Sequence, residues 1–151
     1  MKRLRYYVSD KASQILRPGC QRFRGQRVSR EMSTTSGYRD LLAWQEAMKL
    51  AVMVYHVTSS FPREESYGLT AQIRKSAVSI PSNIAEGAAR NSAREFYHFL
   101  GISAGSLAEV ETQLDLASRL EYARLDPATA QQAQKVGMLL EGLRRSCAST
   151  P

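Results

Sequence analysis

The amino-acid sequence predicts an all-α protein, folded as an antiparallel up-down-up-down four-helix bundle, and three observations carry this prediction. Apolar residues recur at three- and four-residue spacings in four successive segments, which is the period of an amphipathic helix. Helix-ending or helix-starting signals separate the segments, namely Phe61-Pro62, Gly87 and Asp126-Pro127. The connections between segments are short, and short connections place consecutive helices side by side in opposite directions.

Residues 1–37 differ from the rest of the chain in charge and composition. They hold nine Lys or Arg and two acidic residues, whereas residues 38–151 hold 12 of each. The segment has no sustained apolar period and is interrupted by proline and glycine, so we predict that it is disordered. Two interpretations are open: a basic arm that binds RNA, or a stretch upstream of a true start at Met32. The folded domain is expected to comprise residues 38–151.

The first two helices are predicted on either side of Phe61-Pro62. The first runs from about Asp40 to Ser59, and its expected core face is Leu41, Trp44, Met48, Ala51, Val52 and Tyr55. The second runs from Glu64 or Glu65 to Glu86, and its expected core stripe is Leu69, Ile73, Ala77, Ile80 and Ile84. Pro81 lies inside this helix, where it removes one backbone hydrogen bond and is expected to bend the axis. Gly87 is predicted to supply a left-handed stop.

The last two helices have recognisable start signals. Ser92 and Glu95 have capping-box spacing and open the third helix, predicted from about Ala93 to Tyr122. Its expected core seam is Phe96, Leu100, Ser103, Leu107, Val110, Leu114 and Ala117. Asp126 and Pro127 are typical of the N-cap and first position of a helix, here the fourth, which ends near Cys147. Its expected core face is Ala130, Ala133, Val136, Leu139, Leu140 and Leu143.

The third helix lacks the polar face that a surface helix of a monomer needs. Between Glu95 and Glu109 it contains no Asp, Glu, Lys or Arg. If this segment of the helix were exposed to solvent, it would form a large apolar patch, which is typical of an interaction surface. Small residues also permit close approach between helices, so Gly101, Gly105 and Ala108 are predicted to form a close-packing interface. We therefore expect a homo-oligomer.

Polar residues border the core stripe of the second helix. Gln72, Asn83 and Glu86 recur within a narrow angular band beside it. Polar groups next to a core require hydrogen-bond partners. One interpretation is a hydrogen-bond network that fixes the bundle register or a subunit contact. The other is a polar groove that binds a partner.

Four basic residues of the folded domain are candidates for phosphate contacts: Arg74, Lys75, Arg90 and Arg94. Arg90 and Arg94 flank the turn between the second and third helices. A ring oligomer would repeat them around one rim and build a basic patch even on a neutral subunit. The alternative is ordinary solvated charge, or ion pairs with neighbouring glutamates.

The sequence offers no pattern for catalysis or cofactor binding. Glu95 and His98 have the Glu-x-x-His spacing of di-iron bundles, but such a site needs a second motif and two more glutamates. We therefore expect no metal, no cofactor and no enzymatic activity. The two cysteines, Cys20 and Cys147, do not suggest a disulfide framework. The basic start leads into no apolar signal segment, and the longest charge-free stretches are too short to span a bilayer, so a cytoplasmic protein is expected.

Several segments, in this order, identify a family resemblance: Tyr38-Arg-Asp-Leu-Leu-Ala-Trp44-Gln45, Phe61-Pro-Arg-Glu-Glu-Ser-Tyr-Gly-Leu69, Gln72-Ile-Arg-Lys-Ser-Ala77, Ser79-Ile-Pro-Ser-Asn-Ile-Ala-Glu-Gly87, Arg90, Ser92, Glu95-Phe96 and Phe99-Leu-Gly-Ile-Ser-Ala-Gly-Ser106. The chain resembles, over about residues 38–147, the four-helix-bundle family that includes proteins encoded in intervening sequences of bacterial large-subunit ribosomal RNA genes. Accessory variability proteins of diversity-generating retroelements are similar.

The resemblance implies a bacterial, cytoplasmic, non-enzymatic bundle that assembles as a homopentameric ring. The retroelement relatives bind nucleic acid and a reverse transcriptase through a basic surface, whereas residues 38–151 of this chain are neutral overall. The leading functional prediction is a homo-oligomeric adaptor associated with RNA. The alternative is a protein-interaction scaffold, for example an accessory subunit that binds a reverse transcriptase. The predicted partners are thus further copies of the chain, RNA or DNA, and a reverse transcriptase.

Overall fold

A computed structural model describes residues 37–124 and 126–148 of the chain. Within these ranges it contains four α-helices, one short 3₁₀ helix at Arg63–Ser66 and no strand. The α-helices are α1 (Leu42–Thr58), α2 (Leu69–Ala89), α3 (Ala93–Arg119) and α4 (Pro127–Ala148). The all-α class and the four helices are therefore confirmed. The segment predicted to be disordered, residues 1–37 with the alternative start at Met32, lies outside the described residues except for Gly37.

One core is shared by all four α-helices. Helix α1 contacts α2 and α4, and α3 also contacts α2 and α4. The large side chains that are almost fully buried come from every helix: Leu50, Val54, Ile73, Ile80, Ile84, Leu100, Val110, Val136 and Leu140. Burying one such side chain contributes about 1.5–3 kcal/mol of transfer free energy. The core stripes predicted for α2 and α3 supply much of this core, so helical periodicity located those two faces correctly.

The order of the contacts between α2 and α3 shows how these two helices run. Ser76 reaches Glu109, Ser79 reaches Ser106, and the carbonyl of Ile80 accepts a hydrogen bond from Ser103. Residue numbers therefore rise along α2 as they fall along α3. Nearer the C-terminus of α2, Gly87 packs on Phe96 and Phe99 near the start of α3.

The core face predicted for α1 is wrong. The buried residues of α1 are Ala43, Glu46, Ala47, Leu50, Ala51, Val54 and Thr58. Of the six residues predicted to be buried, Ala51 alone is buried, while Met48, Val52 and Tyr55 are 41%, 53% and 46% exposed. Two apolar faces compete on this helix, and the face with the larger side chains lies outside the core of the single chain.

Both ends of α2 differ from the prediction. The helix begins at Leu69 rather than at Glu64 or Glu65, because residues 63–66 form the 3₁₀ helix. A carboxylate oxygen of Glu65 accepts a hydrogen bond of 2.8 Å from the Leu69 amide and so caps α2. At the other end, Gly87 lies inside α2, which continues to Ala89, so its predicted role as a left-handed stop is wrong. A Cβ at Gly87 would lie 2.6 Å from the Cβ of Phe99, so the glycine permits close helix packing.

The ends of α3 and the start of α4 are set by local hydrogen bonds. The Ser92 hydroxyl accepts a bond from the Glu95 amide, as the capping box predicts. At the C-terminus of α3, Glu121 has a φ of 60°. Its amide donates to the Ser118 carbonyl and the Tyr122 amide donates to the Ala117 carbonyl, which is the Schellman pattern. Asp126 accepts a bond from the Ala128 amide at the start of α4, as predicted.

Candidate functional site

Three arginines lie near the turn between α2 and α3. Arg90 follows the last residue of α2, Arg94 lies in the first turn of α3, and Arg144 of α4 contacts Tyr97 in the second turn of α3; we call these three residues the arginine cluster. Arg90 donates a hydrogen bond of 2.6 Å to Glu86, and its guanidinium carbon lies 5.3 Å from the centroid of the Phe99 ring. The side chains of Arg90 and Glu86 are both about half exposed, so their ion pair contributes little to stability. Arg90 therefore remains accessible to another anion.

Arg94 differs from the other members of the arginine cluster in its surroundings. It is exposed and has no acidic partner among the described residues. It lines a shallow pocket of about 250 Å³ together with Tyr97 and Cys147, which brings the start of α3 to the end of α4. An accessible guanidinium beside an aromatic ring can bind a phosphate by bidentate hydrogen bonds while a base stacks nearby.

Arg144 was not identified from the sequence. Its guanidinium lies over the Tyr97 ring at 5.0 Å from the centroid, and it donates a hydrogen bond of 3.3 Å to the tyrosine hydroxyl. Arg144 also forms an ion pair with Glu141, in which a guanidinium nitrogen lies 3.7 Å from a carboxylate oxygen. The pairing of Arg144 with Tyr97 joins residues 47 positions apart, so no local sequence signal could have revealed it.

The four predicted phosphate ligands do not form one patch on a single chain. Arg74 and Lys75 precede Arg90 by about four helical turns on α2, which corresponds to about 22 Å along the axis. Arg74 is half-buried: its Nε donates a hydrogen bond of 2.8 Å to the Thr58 hydroxyl, and it lies 4.8 Å from the centroid of the Tyr55 ring. Arg74 therefore connects α2 to α1, whereas Lys75 is exposed to solvent.

The polar residues that connect α2 to α3 are mostly serines. Ser76 donates a hydrogen bond of 2.7 Å to Glu109, and the hydroxyls of Ser79 and Ser106 are 2.8 Å apart. Asn83 joins this network by donating to both the carbonyl and the hydroxyl oxygens of Ser79. Such a network favours one register of the two helices, because any slip would leave half-buried polar groups without partners.

The other two predicted network residues lie outside it. Gln72 is exposed, and Glu86 is exposed and pairs with Arg90. The sequence pattern identified Asn83 and the correct side of α2 but not the serines that take part, because the serines on α3 look like ordinary positions in a core seam. Ser103, which is fully buried, donates to the Ile80 carbonyl immediately before Pro81.

Glu46 is a buried carboxylate that the sequence did not single out. Gln132 on α4 donates to one of its oxygens at 2.8 Å and to its backbone carbonyl at 2.9 Å. Lys49 and Lys135 pair with it at 2.9 and 3.0 Å. Hydrogen bonds from Gln132 and Lys49, reinforced by Lys135, lower the pKa of Glu46 from 4.5 to about 2 against the opposing effect of burial. The carboxylate is therefore charged at neutral pH and ties α1 to α4.

Two apolar surfaces are exposed among residues 37–124 and 126–148. The first, which we call the α1–α2 groove, has a volume of about 620 Å³, and the groove is lined principally by Trp44, Met48, Val52, Tyr55, Val78 and Pro81. The second is the outer face of α3, where the predicted close-packing residues Gly101, Gly105 and Ala108 occur. A Cβ at Gly101 or Gly105 would meet nothing within 4 Å. Their packing role within one chain is therefore small.

The described ranges contain neither a metal-binding group of side chains nor a helix that could span a membrane. Between residues 37 and 148, leaving aside Leu125, no three His, Cys, Asp or Glu side chains are grouped so that they could hold a metal ion. Glu95 and His98 are both exposed on α3. None of the helices in the same part of the chain combines the length and apolarity needed to cross a membrane.

The described part of the chain is an all-α fold of four α-helices that presents an arginine cluster and two exposed apolar faces. A family model described as 23S rRNA-intervening sequence protein matches residues 39–149. The chain belongs to this family, and the resemblance noted in its sequence is thereby confirmed. No match to the chain is found among curated proteins.

Proposed function

We propose that this protein is a non-enzymatic, homo-oligomeric adaptor that associates with RNA in the bacterial cytoplasm. The observation that supports the proposal is the arginine cluster, in which Arg90 lies beside Phe99, Arg144 lies beside Tyr97, and Arg94 lines a pocket together with Tyr97. Guanidinium groups bind phosphate oxygens, and aromatic rings accept unstacked bases. Membership of the 23S rRNA-intervening sequence protein family supports an RNA context for these groups.

The proposed assembly supports this function by repetition. The helices are taken as an antiparallel up-down-up-down bundle, which accords with the opposite order of contacts along α2 and α3. Five copies in a ring would place five arginine clusters on one rim. Each cluster is weak by itself because Glu86 and Glu141 offset part of its charge. Repeated weak sites on one RNA give a much higher overall affinity than one site gives.

The test compares RNA binding by two variants that lose the same charge. Replacing Arg90 and Arg94 by Ala should weaken binding to a structured RNA stem-loop, and the slope of log K against log salt should fall by roughly 2. The control replaces the exposed Arg63 and Arg124, which lie in the 3₁₀ helix and after α3. If the two double variants bind equally well, or if the unmodified protein binds no better than a neutral protein, the arginine cluster is not an RNA site.

A second candidate function is a protein-interaction scaffold, with a reverse transcriptase as the partner. The balance of 12 basic and 12 acidic residues in residues 38–151 favours this candidate, because strong nucleic-acid binders carry a net positive domain. The genomic neighbourhood of the gene distinguishes the two candidate functions. A reverse-transcriptase gene with template repeats beside this gene supports the scaffold, and an interrupted ribosomal RNA gene supports the RNA adaptor.

A further inference from the structure

A small pocket lies between the start of α3 and the end of α4, and we call it the Tyr97 pocket. It has a volume of about 250 Å³ and is lined by Ala93, Arg94, Tyr97, Cys147 and Ala148. Among these described residues Arg94 alone is charged, and none is acidic. The Tyr97 pocket therefore combines an aromatic ring with a positive charge that no acidic residue of the lining offsets.

The ring of Tyr97 is held in place by α4. The guanidinium carbon of Arg144 lies 5.0 Å from the ring centroid, and Arg144 donates a hydrogen bond of 3.3 Å to the Tyr97 hydroxyl. Glu141 pairs with the same guanidinium and so limits its movement. Arg144 lies over the ring without lining the pocket, and Tyr97 remains 38% exposed. Because the orientation of the ring is fixed before binding, a ligand that stacks on it costs little conformational freedom.

Arg94 and Tyr97 are neighbours on the surface of α3. They are three residues apart in the helix, a spacing that places their Cβ atoms about 5–6 Å apart. Arg94 is exposed and has no acidic partner among the described residues. A guanidinium binds a phosphate by two parallel hydrogen bonds. A ligand that rests on the Tyr97 ring therefore has a phosphate-binding group within reach.

The size of the Tyr97 pocket limits what can enter it. Pockets for drug-sized ligands have volumes of about 300–1,000 Å³, so the smaller Tyr97 pocket suits one flat ring. Within an RNA duplex both faces of a base are covered by neighbouring bases. A base presents its face to an aromatic side chain only in a loop, a bulge or an end, where it is unstacked. The chemistry of the pocket therefore fits an unpaired nucleotide.

We infer that the Tyr97 pocket binds one unpaired nucleotide of RNA, whose base stacks on the Tyr97 ring and whose phosphate is bound by Arg94. This inference rests on the proposed function and deepens it, because it identifies single-stranded RNA rather than duplex as the ligand of this site. The Tyr97 hydroxyl is already bonded to Arg144, and stacking tolerates any base. The site is therefore expected to bind without a strong preference for sequence.

The test uses two RNAs with the same number of phosphates and the full-length protein. One is a single strand without self-complementarity that contains the fluorescent adenine analogue 2-aminopurine, and the other is a blunt-ended duplex. The fluorescence of 2-aminopurine falls when the base stacks on an aromatic ring. The unmodified protein at saturation should therefore quench the fluorescence of the single strand.

Tyr97→Leu removes the ring and keeps an apolar side chain at the same position. Its affinity for the single strand should fall by roughly five- to 100-fold, the loss expected for one stacked base, while its affinity for the duplex is unchanged. Tyr97→Phe keeps the ring and should retain the quenching. The matched control is Tyr67→Leu, because Tyr67 is 98% exposed between the 3₁₀ helix and α2, outside the pocket.

Arg94→Ala separates the phosphate contact from the stacking contact. It should lower the slope of log K against log salt for the single strand by roughly 0.7, whereas Tyr97→Leu should leave that slope unchanged because it removes no charge. Circular dichroism and the melting temperature establish that each variant is folded.

The outcomes distinguish failure of this inference from failure of the RNA proposal. RNA binding that requires Arg90 and Arg94 but is equal in Tyr97→Leu and Tyr67→Leu overturns the inference alone, as does an equal loss of affinity for both RNAs in Tyr97→Leu. Unchanged fluorescence of the bound single strand also overturns it, and this measurement needs no variant to fold. A protein that binds neither RNA contradicts both proposals.

Discussion

Gln132 on α4 donates a hydrogen bond of 2.8 Å to the buried carboxylate of Glu46 on α1, across a sequence separation of 86 residues. The carboxylate is also paired with Lys49 and Lys135, whose side chains are 64% and 48% exposed. A buried charge that loses such partners is strongly destabilising, whereas the same charge with partners holds two helices in register.

Acid should destabilise the protein through Glu46. Its folded-state pKa of about 2 lies below the ordinary value of 4.5, so its stabilising contribution is complete above pH 4.5 and is lost as pH falls towards 2. The shift corresponds to roughly 3 kcal/mol. Glu46→Gln should therefore flatten the loss of stability between these pH values and lower stability at pH 7 by about 2 kcal/mol.

Urea unfolding at a series of pH values measures this effect. Glu111→Gln is the control, because Glu111 is exposed on α3 and should leave the acid profile unchanged. A Glu46→Gln variant whose stability falls in acid as steeply as that of the unmodified protein would contradict the assigned role.

Arg74 is expected to affect stability more than nucleic-acid binding. Arg74→Lys keeps the positive charge but removes the planar Nε donor to Thr58 and weakens the contact with the Tyr55 ring. The free energy of unfolding should fall by about 1–2 kcal/mol. Lys75→Arg is the matched control, since Lys75 is exposed and the variant should unfold like the unmodified protein. Equal stability of the two variants would show that Arg74 does not connect α1 and α2.

Gly87→Ala tests whether close packing against α3 explains the glycine. In an ordinary helix interior this change stabilises by about 0.5–1 kcal/mol. At Gly87 the new Cβ would lie 2.6 Å from the Cβ of Phe99 and 3.0 Å from Phe96, so we expect a loss of about 1–3 kcal/mol. Gly137→Ala on α4 is the control, because its Cβ would meet Leu107 at an ordinary 3.4 Å. Thermal unfolding of both variants should give shifts of opposite sign; stabilisation by Gly87→Ala would refute close packing.

The sequence revealed more of the fold than of the surfaces, for a physical reason. On α2 and α3 one face is clearly more apolar than the rest, so periodicity located the core. On α1 the stripe containing Trp44 and Val52 is more hydrophobic than the true core face, which includes Glu46. The carboxylate of Glu46 can be buried there only because Gln132 and Lys135 of α4 pair with it. That pairing leaves no local signature in the sequence.

The prediction of the candidate site has the same limit, because contacts between distant segments leave no local signal in the sequence. The turn between α2 and α3 could be predicted from Ser92 and Glu95, so Arg90 and Arg94 were found. Arg144 reaches Tyr97 near this turn only through the packing of α4 on α3. Conversely, Arg74 has the same charge as the others, and only its contact with Thr58 distinguishes a structural arginine from an accessible one.

Glu121→Gly should stabilise the protein. Glu121 has a φ of 60°, a left-handed conformation that costs an ordinary residue about 1–2 kcal/mol and that glycine adopts freely. The Schellman hydrogen bonds from Glu121 and Tyr122 use backbone amides only, so the substitution keeps them. Greater flexibility of the unfolded chain offsets part of the gain, and we expect a net increase of about 1 kcal/mol in the free energy of unfolding. Urea unfolding measures it against Glu111→Gly in the interior of α3, which should destabilise by about 1 kcal/mol. If both glycine variants lose stability equally, the end of α3 does not require the left-handed conformation.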